Sequence, residues 1–112
     1  MNKRAIGTFY EEAAIAYLTK MGIRIIDRNV VCGHIGEIDL IGEGEGCLIF
    51  FECKYRKNHN MGYPAEAVNL TKRQTIRKCA QYYLAYRKCD LYIRFDVVAI
   101  EGERIDWIKN AF

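Results

Sequence analysis

Gly36-Glu37-Ile38-Asp39-Leu40-Ile41, and after a glycine-studded break Leu48-Ile49-Phe50-Phe51-Glu52-Cys53-Lys54-Tyr55, are the stretches on which the fold turns. The first alternates: Glu37 and Asp39 point one way, Ile38 and Leu40 the other, the two-residue period of a half-buried strand. The second is apolar at its start and polar at its end. Between them Gly42-Glu43-Gly44-Glu45-Gly46 is a turn signal, so strands over residues 35–41 and 48–55 make a hairpin. A turn centred between Glu45 and Gly46 sets Asp39 directly opposite Glu52, with Cβ atoms about 5 Å apart. Lys54 shares the face of Glu52.

Working outward, Tyr10, Ala13, Ala14, Tyr17 and Leu18 recur at helical spacing. They predict a helix over residues 8–21, with Thr8 and Glu11 as a capping box and Gly22 just past its end. The β-branched run 23–31 reads as a strand. Residues 58–63 read as a loop, and Pro64 suits the first turn of a helix. Ile76, Cys79, Ala80, Tyr83 and Leu84 stripe a helix over 70–87. Strands are expected at 92–100 and, after Gly102, at 104–108. The order α-β-β-β-α-β-β predicts an α/β fold, a central mixed sheet flanked by helices.

A chain of 112 residues, 51% hydrophobic and 28% charged, is the size and balance of one globular domain, taken here as residues 1–112. The single proline and the lack of low-complexity tracts exclude Pro-rich linkers. A net charge of +3, from 17 Lys and Arg against 14 Asp and Glu, is too small to argue for nucleic acid by itself. Cys32, Cys47, Cys53, Cys79 and Cys89 form no CxxC pair and no zinc spacing. Five scattered cysteines are the pattern of reduced thiols in a cytosol. The N-terminal stretch lacks the apolar core of a signal peptide, and no run reaches the ~20 apolar residues of a membrane span. A cytoplasmic protein without membrane contact is expected.

The hairpin carries the chemistry. Two carboxylates set opposite each other repel, and a hard divalent cation held by their oxygens would relieve the repulsion; Mg²⁺ needs only one or two protein carboxylates beside water and phosphate. Lys54 can then orient an attacking water or offset charge on a phosphate. The plainer alternative is a solvated strand face with a cross-strand ion pair. Glu52 interrupts a strongly apolar run, which favours a cleft or sheet edge over open surface.

The stretches Gly36-Glu37-Ile38-Asp39-Leu40-Ile41 and Ile49-Phe50-Phe51-Glu52-Cys53-Lys54-Tyr55-Arg56 resemble the signature of the YraN-like proteins. These are predicted endonucleases of the restriction-endonuclease-like, PD-(D/E)xK superfamily, similar to archaeal Holliday junction resolvases. Gly7 with Glu11-Glu12-Ala13, Pro64-Ala65-Glu66-Ala67-Val68 with Lys72, Arg94-Phe95-Asp96-Val97-Val98 and Asn110-Ala111-Phe112 carry the resemblance almost end to end. Cys53 and Tyr55 stand where that family usually has Val and Thr, and Tyr10 where it often has Gly. The resemblance implies a restriction-endonuclease-like fold and a structure-selective, Mg²⁺- or Mn²⁺-dependent DNA endonuclease. It implies Asp39 and Glu52 as metal ligands, Lys54 as the catalytic lysine and Glu11 as a helix-borne acid completing the catalytic and metal site. Similarity to junction resolvases implies a symmetric homodimer. Glu11 keeps two readings, helix cap and active-site acid.

Arg56, Lys57, Lys72, Arg73 and Arg77, with Lys78, are the candidate phosphate contacts; Arg56 extends the face of Glu52 and Lys54. Glu37 reads as turn or surface. His34 and His59 lack a second ligand at metal spacing, and Cys53 alternates into the core. One or two exposed tyrosines could stack on bases, and the sequence does not choose among them. The reading from a different class is a non-catalytic nucleic-acid-binding or partner-binding module that retains the nuclease fold.

Overall fold

A computed structural model describes residues 3–56 and 69–112. The elements run α1 (Lys3–Lys20), β1 (Arg24–Cys32), β2 (Gly36–Gly44), β3 (Cys47–Arg56), α2 (Leu70–Leu84), β4 (Tyr92–Glu101) and β5 (Arg104–Ile108). The five strands form one sheet in chain order, antiparallel except where β3 pairs with β4 in parallel. The fold is therefore α/β with a mixed sheet, in the element order predicted. The predicted loop 58–63, the helix start at Pro64 and the candidate contact Lys57 lie outside the described residues.

The hairpin turn is tighter than the five-residue signal implied. Gly42 and Gly44 belong to β2, and Gly44 pairs with Cys47. Glu45 and Gly46 alone make the turn, with φ of 53° and 73°, the left-handed pair that suits the twist of flanking strands. Gly42 has another reason to be glycine: a Cβ there would lie 2.6 Å from Ile23 Cγ2 and 3.2 Å from Phe51 Cε2.

A core packs on each face of the sheet. On one, Ala14 and Leu18 of α1 meet Leu40, Ile49, Phe51, Val98 and Ile100. On the other, Ile76, Cys79, Ala80 and Tyr83 of α2 meet Ile38, Ile41, Leu48, Phe50, Phe95 and Val97. Along β3 the assignment alternates residue by residue, as a strand buried on both faces must. Asn69 caps α2, its Oδ1 accepting from Lys72 N at 2.9 Å.

Three expectations are corrected. The first helix begins at Lys3, five residues before the predicted start, so Thr8 is mid-helix and cannot cap it. The second helix ends at Leu84 rather than at Arg87. Cys32 and Cys79, both fully buried, are joined as a disulfide with Cα atoms 5.5 Å apart, tying the end of β1 to α2. Only Cys47, Cys53 and Cys89 are free. No helix among the described residues is long and apolar enough to cross a membrane.

Asp96 is a fully buried carboxylate on β4. It accepts from Arg94 Nε at 2.9 Å, Trp107 Nε1 at 2.8 Å and the backbone N–H of Asn110 at 2.8 Å. These charge-assisted bonds pin β5 and the residues after it to β4. The Arg94-Phe95-Asp96 stretch thus has a structural explanation independent of any chemistry.

Candidate active site

The β2–β3 ladder runs from Gly44–Cys47 to Leu40–Phe51 and stops there. Beyond that point β2 stays with β1 as far as Cys32–Gly36, and β3 stays with β4 as far as Arg56–Glu101. The sheet forks, and Asp39 and Glu52 are the first residue on each side of the fork. In the gap, the backbone N–H of Cys53 donates to Asp39 Oδ2 at 2.9 Å. The carboxylate takes the place a strand carbonyl would have held.

Glu52 is 4% exposed. Its carboxyl is pushed up from the ordinary 4.5 to about 7, chiefly by burial and next by the charge of Asp39. Two ammonium groups oppose that rise. Lys72 Nζ lies 3.5 Å and Lys54 Nζ 3.6 Å from Glu52 Oε1. The Asp39 carboxyl is also raised, by burial, against the pull of the Cys53 N–H and of Lys72 and Lys54. The structure therefore brings together Asp39, Glu52 and Lys54, the central trio of the sequence reading. It adds Lys72, which that reading placed among the phosphate contacts. The available signal was Asn69: as the cap of α2 it fixes Lys72 in the first helical turn, but only tertiary packing says what that turn faces.

Glu11 has no capping role, since α1 starts eight residues upstream of it. It lies 3.7 Å from Arg28 Nη2. With its amide nitrogen turned toward the carboxylates, Asn29 donates to Glu11 Oε1 at 2.7 Å and to Glu37 Oε1 at 3.2 Å. Asn29 holds this bridging position with a left-handed φ of 50°. Glu11 and Asp39 line one cleft of about 100 Å³ with Gly7, Tyr10, Cys53 and Tyr55. Glu37 is exposed, yet its charge helps raise the Asp39 carboxyl. Among the described residues no three or more His, Cys, Asp or Glu side chains gather as a metal-binding group. The Asp39–Glu52 pair is nonetheless a hard oxygen donor set, and two carboxylates suffice for Mg²⁺ with water and phosphate.

Cys53 points to the α1 side of the sheet, among the residues packed on that core. Burial and the charges of Asp39, Glu52 and Glu11 hold its thiol well above the ordinary range, so it is no nucleophile.

The basic residues divide. Arg56, on the face of Glu52 and Lys54, has a buried Nη2 with no hydrogen-bond partner among the described residues. Arg77 lies over the rings of Phe95 and Phe112, at 5.0 and 5.8 Å, and Arg73 over Phe112 at 5.9 Å. Those two guanidiniums pack on aromatic rings of β4 and the C-terminal segment.

Comparison with known proteins places the chain. Residues 10–100 match the family described as "Uncharacterised protein family UPF0102". A "UPF0102 protein" of Fusobacterium nucleatum is 43% identical over 111 residues, covering 98% of this chain and 92% of that one. One from Vibrio campbellii is 44% identical over 115 residues, covering 98% and 93%. One from Caldicellulosiruptor saccharolyticus is 39% identical over 119 residues, covering both chains fully. The chain belongs to the UPF0102 family.

Proposed function

We propose that this UPF0102 member is a metal-dependent nuclease that hydrolyses phosphodiesters in nucleic acid, with DNA as its substrate. One observation carries the reading: a buried glutamate pushed up to about 7, facing an aspartate across a fork in the sheet, with two lysines on the same oxygen. Burying Glu52 beside a second carboxylate, with two half-exposed lysines as its counter-charges, costs stability and has a use when charge develops there. The YraN-like, PD-(D/E)xK resemblance assigns the same residues to the same work.

Glu52 and the Asp39 oxygen not engaged with Cys53 would hold Mg²⁺ or Mn²⁺. That cation would supply Lewis-acid stabilisation of the phosphate and an acidified water. Lys54 is placed to orient the attacking water or to meet the negative charge of the transition state. Lys72, like Lys54, lowers the cost of ionising Glu52 when the cation is absent. Arg56, on the same strand face as Glu52 and Lys54, is suited to a phosphate oxygen. Glu11 faces the same cleft as Asp39 and is held in place by Asn29.

A second reading, a binding module without catalysis, draws on the same lysines. Lys54 and Lys72 already offset Glu52, so the pair could persist with no cation. A cleavage screen across junction, flap, single-stranded and duplex DNAs with Mn²⁺ and Mg²⁺ decides between them. The control is Asp39→Asn, which keeps an acceptor for Cys53 N–H. Cation-dependent cleavage lost in the control supports the nuclease. Binding without cleavage, and no cation uptake by calorimetry, supports the module.

A further inference from the structure

The cleft beside Asp39 has an aromatic wall. Tyr10 of α1 and Tyr55 of β3 stack with centroids 4.4 Å apart and planes 10° from parallel. Phe9 meets Tyr10 edge-on at 5.4 Å. Buried aromatic stacks are ordinary packing, but this one is open on one side: Tyr10 is half-buried against the α1 core while Tyr55 is 45% exposed. The two tyrosines line the same cleft as Glu11 and Asp39. Its floor is open at Gly7, where a Cβ would meet nothing within 4 Å.

We propose that the Tyr10–Tyr55 stack is a platform for an unpaired nucleobase, so that the site takes single-stranded DNA in preference to duplex. The proposal rests on the nuclease reading and names the substrate class for it. A nucleotide carries a flat π-face one sugar away from its phosphate, matching a ring pair that shares a cleft with the carboxylate. A base within a duplex has both faces covered by its neighbours and cannot lie on the platform. Flat rings with two rotatable bonds stack on any base, so the platform selects for an unpaired base rather than for a sequence.

The test is binding of fluorescent DNA probes without divalent cation, which separates it from cleavage. The probes are a single strand, the same strand with abasic sites, and a blunt duplex. The parent protein should bind the single strand at least roughly tenfold more tightly than the abasic strand or the duplex. Tyr55→Leu keeps apolar contact with Tyr10 but offers no flat face, and should lose about tenfold on the single strand alone; Tyr55→Phe should retain the affinity. Thermal melting of each variant reports whether it is folded, and Tyr10→Leu gives a second route to the same loss. Equal binding of normal and abasic strands overturns the platform and leaves the nuclease reading standing. No binding of any probe overturns the platform, and the cation-dependent cleavage screen then decides the nuclease reading by itself.

Discussion

Removing one charge at Glu52 should make the protein more stable. In the folded chain its carboxyl titrates near 7 rather than 4.5, so the fold favours the protonated form. Below about pH 4.5 Glu52 is protonated in both states and exacts no penalty. As pH rises through 7 the folded state must ionise a buried group, and stability falls across that window. At about 1.4 kcal/mol per pH unit, the displacement from 4.5 to about 7 amounts to roughly 3 kcal/mol, a large share of the 5–15 kcal/mol of a typical domain. Glu52→Gln keeps the shape and an oxygen for Lys54 and Lys72 while removing the charge. It should gain up to roughly 3 kcal/mol over the parent at pH 8 and about nothing at pH 4.5. Asp39, raised in the same direction, is coupled to Glu52 through the charge that raises it, so neutralising Glu52 also eases the ionisation of Asp39 and the difference reports the pair. Urea denaturation from pH 4.5 to 8 measures this. Saturating Mg²⁺ or Mn²⁺ should restore stability to the parent only, by about 2.7 kcal/mol at a hundredfold excess over Kd. If the parent and Glu52→Gln are equally stable at pH 8, the buried, like-charged environment assigned to Glu52 is wrong.

Lys54→Ala should lower turnover about 10²–10³-fold with cation binding retained. Lys72→Ala should instead push the Glu52 carboxyl higher and move the acid limb of the pH–rate profile to higher pH, with equal profiles counting against it. Asp96→Asn leaves Arg94 without its charged partner on β4 and should cost about 3 kcal/mol or more in urea denaturation. Breaking Cys32–Cys79 with reductant or by Cys79→Ala frees a loop spanning a separation of 47 residues. Chain entropy sets that at about 4 kcal/mol, and an unchanged urea midpoint under reductant would argue against the bridge.

Local periodicity carried the sequence reading far. The alternation at 36–41, the glycines around Glu45 and the apolar run before Glu52 placed the hairpin register, which holds from Gly44–Cys47 to Leu40–Phe51. What failed was non-local or competed with a local pattern. Thr8 and Glu11 have the spacing of a capping box, but α1 starts earlier and turns Glu11 toward Arg28 and Asn29. Alternation put Ile38 and Leu40 on one face, yet they join different cores. Lys72 reaches Glu52 from α2, packed on that face of the sheet, and Cys32 finds Cys79 through tertiary packing. Neither carries a spacing that a linear reading could detect. Arg73 and Arg77 were read as a solvated or phosphate-facing stripe because Phe95 and Phe112 are distant in sequence.

The bond from Cys53 N–H to Asp39 gives one carboxylate two masters. An Ala at position 39 would strand a backbone donor in the fork, costing about 1–3 kcal/mol whatever the protein does for a living. A descendant that lost all catalysis would still be held to an oxygen-bearing side chain there. Lys54 answers to no such constraint among the described residues: its side chain is 33% exposed and its ammonium pairs with the Glu52 carboxylate. Along a decaying lineage the lysine should drift first and the aspartate last. Lys54, rather than Asp39, is then the position whose retention reports on working chemistry among relatives of this chain.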